Sequence, residues 1–243
     1  AVLFVILIGV VIGMPKGLPV GRKDAKFSEV FSKNRNINWL SAARLFLFGA
    51  RDVWFVVGLP IYFYAVLSDG TIESNRTAFF MIGTFMAVWT ILYGTVQGSA
   101  PRILKAASRS DAEILVLAKR WVGLLIIVPA FLAGLVWLGP QPSNSLTAII
   151  VLGLLVFGGT FAVNSALHSF LILSLTDAKR VTMDVGFYYM ANSVGRLVGT
   201  VLSGFTYQMG GLSLCLGTAA VMISLGWLGT SQLKALKNDK VAA

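Results

Sequence analysis

Six long stretches of mostly apolar residues, separated by short polar segments, dominate this chain of 243 residues. A helix of about 20 apolar residues crosses the hydrocarbon layer of a bilayer, and a single soluble core cannot bury six of them. Charged residues make up only 12% of the chain, compared with roughly 25% in soluble domains. The pattern therefore predicts an all-α membrane protein. The predicted spans are residues 41–67, 77–98, 120–138, 147–174, 185–208 and 211–233.

The segments outside these spans predict how the rest of the chain is organised. Residues 1–13 are apolar but too short to span, and they lack the basic start and cleavage-type end of a signal peptide, so we interpret them as the end of a preceding span. Residues 14–40 form the longest polar segment and are predicted to be a cytoplasmic loop, and residues 234–243 a cytoplasmic tail. Because the chain starts inside an apolar stretch, we expect an N-terminal half of six spans before it.

Lysines and arginines are distributed unevenly between alternate polar segments. Segments 14–40, 99–120 and 175–184 together with the tail carry 16 of them, whereas the opposite segments carry only Arg76. Basic residues resist translocation, so this asymmetry places the basic segments and the C-terminus in the cytoplasm of a bacterial inner-membrane protein. The net charge of +10 follows from this orientation, and without a basic stripe interleaved with aromatic residues no nucleic-acid partner is predicted.

Reactive residue types are scarce, which argues against an enzyme. Cys215 is the only cysteine, so a disulfide within the chain and a cysteine metal cluster are both excluded. No nucleophile with its base and no glycine-rich phosphate loop appears in the sequence. We therefore predict neither catalysis nor a cofactor or metal.

Ionisable residues inside the predicted spans are the leading functional candidates, because each is costly to bury in a membrane. Arg51 and Arg196 both fall roughly 15 Å from the predicted cytoplasmic start of their spans. Two guanidinium groups at one depth repel unless an anion lies between them, which predicts a central site for a negatively charged solute. The alternative is that Asp52 pairs with Arg196 and only joins two helices. Asp52 and His168 are also candidates for proton coupling, although a lone buried histidine is more often a packing residue.

Uncharged polar residues recur at helical spacing and mark the faces that would line the same cavity. Asn164 precedes His168 by four residues, and Tyr188, Asn192 and Arg196 follow one another at the same interval. Such side chains can also join helices rather than bind solute. The predicted substrate-binding set is Arg51, Arg196, Asn192, Tyr188, Asn164 and Gln97.

Two motifs resemble a known family. The segment 48–60, with the sequence FGARDVWFVVGLP, and the pair YGTVQ at 93–97 and APRIL at 100–104 are similar to the organoarsenical efflux permeases of the major facilitator superfamily. The resemblance implies the C-terminal six-helix half of that fold, preceded by the tail of helix six. It also implies export of 1-arseno-3-phosphoglycerate, which a glyceraldehyde-3-phosphate dehydrogenase makes from arsenate, and hence arsenate resistance in partnership with that enzyme.

Two other functions fit the same residues. One is a proton-coupled exporter of drugs or of another organic anion, for which the same cationic cavity would serve. The other is a membrane receptor or assembly factor that does not transport. A role in anion transport predicts that replacing Arg51 or Arg196 changes efflux, whereas in a receptor or assembly factor the same replacements would leave activity intact while disturbing partner binding.

Overall fold

The computed structural model describes residues 2–13, 32–105, 108–139, 143–177 and 180–234, and every regular element among them is helical. Most of the predicted loop 14–40 and of the predicted tail lies outside the described residues. The helices are α1 (Val2–Gly13), α2 (Arg35–Phe55), α3 (Gly58–Leu67), α4 (Ile72–Ile103), α5 (Asp111–Leu138), α6 (Asn144–Leu175) and α7 (Val181–Ser231).

Five helical segments are long and apolar enough to cross a membrane, counting α2 and α3 together as one segment of 33 residues. Helices suit this setting because every backbone N–H and C=O finds its partner within the segment. The prediction of an all-α chain with the character of a multi-pass membrane protein is therefore confirmed. The arrangement as one half of a larger transporter stays a prediction.

The last helix, α7, reverses direction within its 51 residues. Its backbone leaves helical geometry at Gly210 and at Gly211, where φ is +60°, a value that glycine adopts without the steric cost of a side chain. Before the break, residue numbers in α7 and α2 rise together along the contact, so the two helices run parallel. After the break they change in opposite directions, so the helices run antiparallel. Four close approaches between α7 and α2 show this. They are Gly195 against Leu45, Gly199 against Gly49, Gly226 against Leu47 and Gly229 against Ala43.

Helices α2, α4, α5 and α6 begin earlier than the apolar spans predicted, because polar residues cap their N-termini. Helix α7 also begins earlier, but without a side-chain cap. Residues 35–40, predicted to be loop, form the first turns of α2, whose Asn34 side chain accepts from the Asn36 amide. Helix α5 begins nine residues before its predicted span, with Ser110 and Glu113 in a reciprocal capping box. These caps satisfy amides that have no partner inside the helix, so the helices extend past the hydrophobic boundary.

Helix α2 lies at the centre of the fold and packs most extensively against α7. Beyond Asp52 its core is aromatic: the Trp54 ring lies edge-on to Trp89 of α4 and to Phe157 of α6, with centroids 5.8 and 5.3 Å away. The Trp89 indole also donates to the Leu154 carbonyl at 2.8 Å. This cluster fixes α2 against α4 and α6, and Asp52, two residues before Trp54 and on the other side of the helix, meets Arg196 of α7.

Candidate functional site

The structure brings together three of the charged residues that the sequence singled out. Arg51 donates to Asp52 Oδ1 through Nε at 2.7 Å and Nη2 at 2.6 Å. Arg196 of α7 donates through Nε to Asp52 Oδ2 at 3.0 Å. The carboxylate is thus shared, with one oxygen for each guanidinium. The ion pair proposed as the alternative reading is present, but Asp52 neutralises only one of the two positive charges.

The matching depth of the two arginines follows from where their helices start. Arg51 is 16 residues into α2 and Arg196 is 15 residues into α7, so at 1.5 Å per residue they lie about 24 and 22 Å from the N-terminal ends. Both values exceed the roughly 15 Å expected from the apolar spans, because both helices begin earlier. Since the first half of α7 runs in the same direction as α2, the two side chains still meet at one level.

Burial differs sharply within this trio. The Asp52 side chain is 2% exposed and Arg51 13%, whereas Arg196 is 55% exposed. Arg196 and Asp52 line an open concavity of about 340 Å³. Its other lining residues are Val56, Ser193, Leu197 and Thr200. A solute that enters this space meets a guanidinium first and finds two hydroxyl groups beside it.

A second polar layer surrounds Arg44, two helical turns before Arg51. The Arg44 guanidinium donates to the Ser165 hydroxyl at 3.1 Å and lies 3.8 Å from the centroid of the Phe48 ring and 4.9 Å from that of Tyr188. Only 4% of the residue is exposed, and among the described residues no carboxylate lies within ion-pair distance of it. The Phe48 ring separates the two layers, because it also lies 5.2 Å from the Arg51 guanidinium.

Most of the uncharged residues predicted to bind substrate belong to the Arg44 layer. Gln97 donates to the Ser165 hydroxyl at 3.2 Å, and Tyr188 is fully buried over Arg44. Asn164 is 1% exposed beside Ser165, and within the described part of the chain its side-chain carbonyl oxygen has no hydrogen-bond partner. The predicted single cavity is therefore divided in this structure into an open layer and an enclosed one.

His168 and Asn192 complete the predicted set. His168 is fully buried, three residues after the Ser165 that Arg44 contacts, and among the described residues neither of its ring nitrogens has a hydrogen-bond partner. Asn192 lies between the layers, one turn from both Tyr188 and Arg196, and no described residue bonds to its buried carbonyl oxygen. His168 thus lies in the enclosed layer and Asp52 in the open one, which separates the two candidates for proton coupling.

Sequence reasoning did not include Arg44, Ser165, Ser193 or Thr200 in the site. The spacing of Arg44 and Arg51, seven residues apart, put both on one helix face, and this was the available signal for Arg44. Thr200 follows Arg196 at the same four-residue interval, but a single threonine in a membrane helix more often joins helices than binds solute, and here its hydroxyl bonds to the Arg196 carbonyl at 2.9 Å. No pattern in the sequence indicated Ser165 or Ser193.

The described residues contain no group of three or more histidine, cysteine, aspartate or glutamate side chains that could hold a metal ion. What the site offers instead is a positively charged, partly open position between two helices, suited to binding an oxyanion. No protein-family model, curated protein or solved structure matches the chain.

Proposed function

We propose that the chain is part of a membrane transporter that exports an organic anion. The observation that carries this proposal is the uneven sharing of Asp52: two guanidinium groups hold one carboxylate, and the more exposed of them, Arg196, faces an open concavity. The resulting net positive charge lies deep in a bundle of apolar helices. Such a charge is expensive in a membrane and is typical of a substrate path.

The most specific substrate we propose is 1-arseno-3-phosphoglycerate. It rests on the resemblance of segments 48–60 and 93–104 to organoarsenical efflux permeases, together with the fit between a cationic site and a solute bearing a phosphate ester and an acyl-arsenate group. On this proposal Arg196 and Arg51 contact the anionic groups, and an N-terminal half supplies the other wall of the cavity. Alternating access then moves the two halves about the site.

The proposal also gives an orientation. In a bacterial cytoplasmic membrane the basic segments and the C-terminus face the cytoplasm, and an exported anion is loaded from that side. Reporter fusions at the C-terminus and in the loop at residues 68–71 test this topology. A cytoplasmic signal from the loop fusion would contradict it.

Export is tested by expressing the full-length protein with an arsenate-using glyceraldehyde-3-phosphate dehydrogenase in arsenic-sensitive cells. We expect resistance and arsenic efflux only when both genes are present. Arg196→Gln should weaken transport affinity by about 10- to 100-fold, the value of a lost charge-assisted hydrogen bond. Arg102→Gln is the matched control, because Arg102 is exposed near the end of α4 and outside the site.

Two results would contradict the proposal. Resistance that does not need the dehydrogenase would rule out the organoarsenical as substrate while leaving anion export possible. Unchanged efflux by Arg196→Gln, at normal levels in the membrane, would reduce the arginine to a structural role and remove the basis for an anion site.

A further inference from the structure

Asp52 is held in the way that two arginines hold an oxyanion ligand. Each carboxylate oxygen accepts from a different guanidinium, Oδ1 from Arg51 and Oδ2 from Arg196. A carboxylate or phosphoryl group of a solute is also negatively charged and offers arginine the same kind of oxygen acceptors. This position therefore selects a group with two oxygens that can bridge the two guanidinium cations. The group can belong to the protein or to a solute.

The two contacts differ in how easily an incoming anion can replace them. Arg51 is the sequence neighbour of Asp52 and binds it through two nitrogens in an environment that is 13% exposed. Arg196 binds through one nitrogen at 3.0 Å, and more than half of its side chain is exposed at the concavity. An anion in the concavity reaches Arg196 without disturbing the contact between Arg51 and Asp52.

We propose that Asp52 is an internal competitor of the transported oxyanion: the anion displaces Asp52 from Arg196, and the displaced carboxylate takes up a proton. This inference rests on the anion site proposed above and adds its coupling. A carboxylate that is 2% exposed and now lies beside a second negative charge is repelled by it, and binding a proton from water in the concavity removes the repulsion. Anion and proton then occupy the site together.

The surroundings of Asp52 assign the proton to it rather than to His168. Among the described residues, the charged groups in contact with Asp52 are Arg51 from its own helix and Arg196 from α7. His168 lies in the enclosed layer beside the positive charge of Arg44, which opposes a further positive charge there. An anion at Arg196 is thus separated from His168 by the layer that contains Phe48.

The test measures proton uptake by the full-length protein in lipid nanodiscs. Calorimetric titration with 3-phosphoglycerate, in two buffers of different ionisation enthalpy at pH 7, gives the protons taken up per anion bound. Asp52→Asn should lower this number by about one proton relative to wild type. It should also bind the probe about tenfold or more tightly, because the competing carboxylate is gone. Any change in protonation of the phosphate group of the probe is the same for wild type and for Asp52→Asn, so it cancels in the difference between them.

Two variants serve as controls. Asp184 is equally buried and pairs with Arg180 at 3.9 Å near the start of α7, so Asp184→Asn should leave proton uptake and affinity as in wild type. His168→Gln should also retain the proton uptake. Difference infrared spectroscopy needs only wild type, so it does not depend on the folding of any variant. Binding of the probe should produce a protonated-carboxyl band in the difference spectrum.

The possible failures are distinguishable. If wild type binds no anionic probe, the proposed function fails and this inference with it. If wild type binds the probe without proton uptake and without the infrared band, the anion site stands and the competition is refuted. Loss of proton uptake in His168→Gln, or binding by folded Asp52→Asn that is weaker than wild type, would also overturn the assignment to Asp52.

Discussion

The contact between α2 and α7 at Gly195 leaves no room for a side chain, and this predicts a measurable loss of stability in Gly195→Ala. A Cβ built at Gly195 overlaps the Leu45 carbonyl oxygen and lies 2.7 Å from its carbon and 2.8 Å from the Leu45 Cα. Carbon atoms normally pack at about 3.5–4.0 Å, so the helices have to separate by about 1 Å. The obstructing atoms are backbone, which a rotamer change cannot move.

The magnitude follows from two opposing effects. Overpacking of this kind costs about 1–3 kcal/mol, whereas replacing a glycine inside a helix by alanine contributes about 1 kcal/mol in favour of the helix. Gly204 is the matched control, because it lies in the same helix and a Cβ there meets nothing within 4 Å. We therefore expect Gly195→Ala to be about 1–3 kcal/mol less stable than Gly204→Ala, or roughly 2–12 °C in midpoint.

The assay is thermal unfolding of the full-length protein in detergent, with the monodisperse fraction measured by size-exclusion chromatography after heating. Gly199→Ala should behave like Gly195→Ala, because its Cβ would overlap the Gly49 carbonyl oxygen. Equal midpoints for Gly195→Ala and Gly204→Ala would refute the close approach of α2 and α7, and with it the packing that brings Arg196 to Asp52.

Two further predictions concern polar contacts outside the ion-pair trio. The Ser203 hydroxyl is fully buried and accepts from the Val57 and Gly58 amides at 3.3 and 3.1 Å, where α2 gives way to α3. Ser203→Ala should cost about 1–3 kcal/mol in the same thermal assay, and a cost no greater than that of Ser224→Ala, whose hydroxyl bonds within its own helix, would count against this role. Hydrogen bonds from the Ser74 hydroxyl and from the Thr71 amide and hydroxyl lower the pKa of Asp69 to about 2. This pKa lies below the ordinary 3.8. The hydrogen bonds between Asp69 and the loop are therefore fully formed above pH 3.8 and are lost as the pH falls through about 2. After correction for intrinsic exchange rates, the Thr71 amide should therefore lose its protection from hydrogen exchange near pH 2 and not near pH 4. Loss of protection near pH 4 would show that the contact does not form.

The sequence predicted the helical class well because hydrophobic length is a strong signal in membrane proteins. It predicted helix ends poorly, since caps such as Asn34 and Ser110 lie in polar segments that look like loops. The two breaks in the long helices lie at glycines: at Gly58, where α3 begins, and at residues 210–211 within α7. Which helices pack together depended on small residues such as Gly49 and Gly195, whose partners a single sequence does not reveal.

The sequence singled out the charged residues of the candidate site but not their arrangement. The charged trio could be expected because ionisable groups deep in apolar spans are few, and each needs a partner. Sequence alone did not show that one carboxylate serves both arginines, because adjacent helix positions point in different directions. The sequence also gave no sign that Phe48 divides the polar residues into two layers, since that depends on its orientation between Arg44 and Arg51.

The two layers explain why Arg44 of α2 and Arg196 of α7 suit different roles. Arg44 has no carboxylate partner among the described residues, but aromatic rings of Phe48 and Tyr188 lie against its guanidinium, and cation–π contacts of this kind stabilise a desolvated cation by about 2 kcal/mol or more. Its charge is thereby held in place and joins α2, α6 and α7. Arg196 has an ion pair that a solute can replace and a surface that a solute can reach. Accessibility, rather than the number of positive charges, therefore makes the layer of Asp52 and Arg196 the place where an anion would bind.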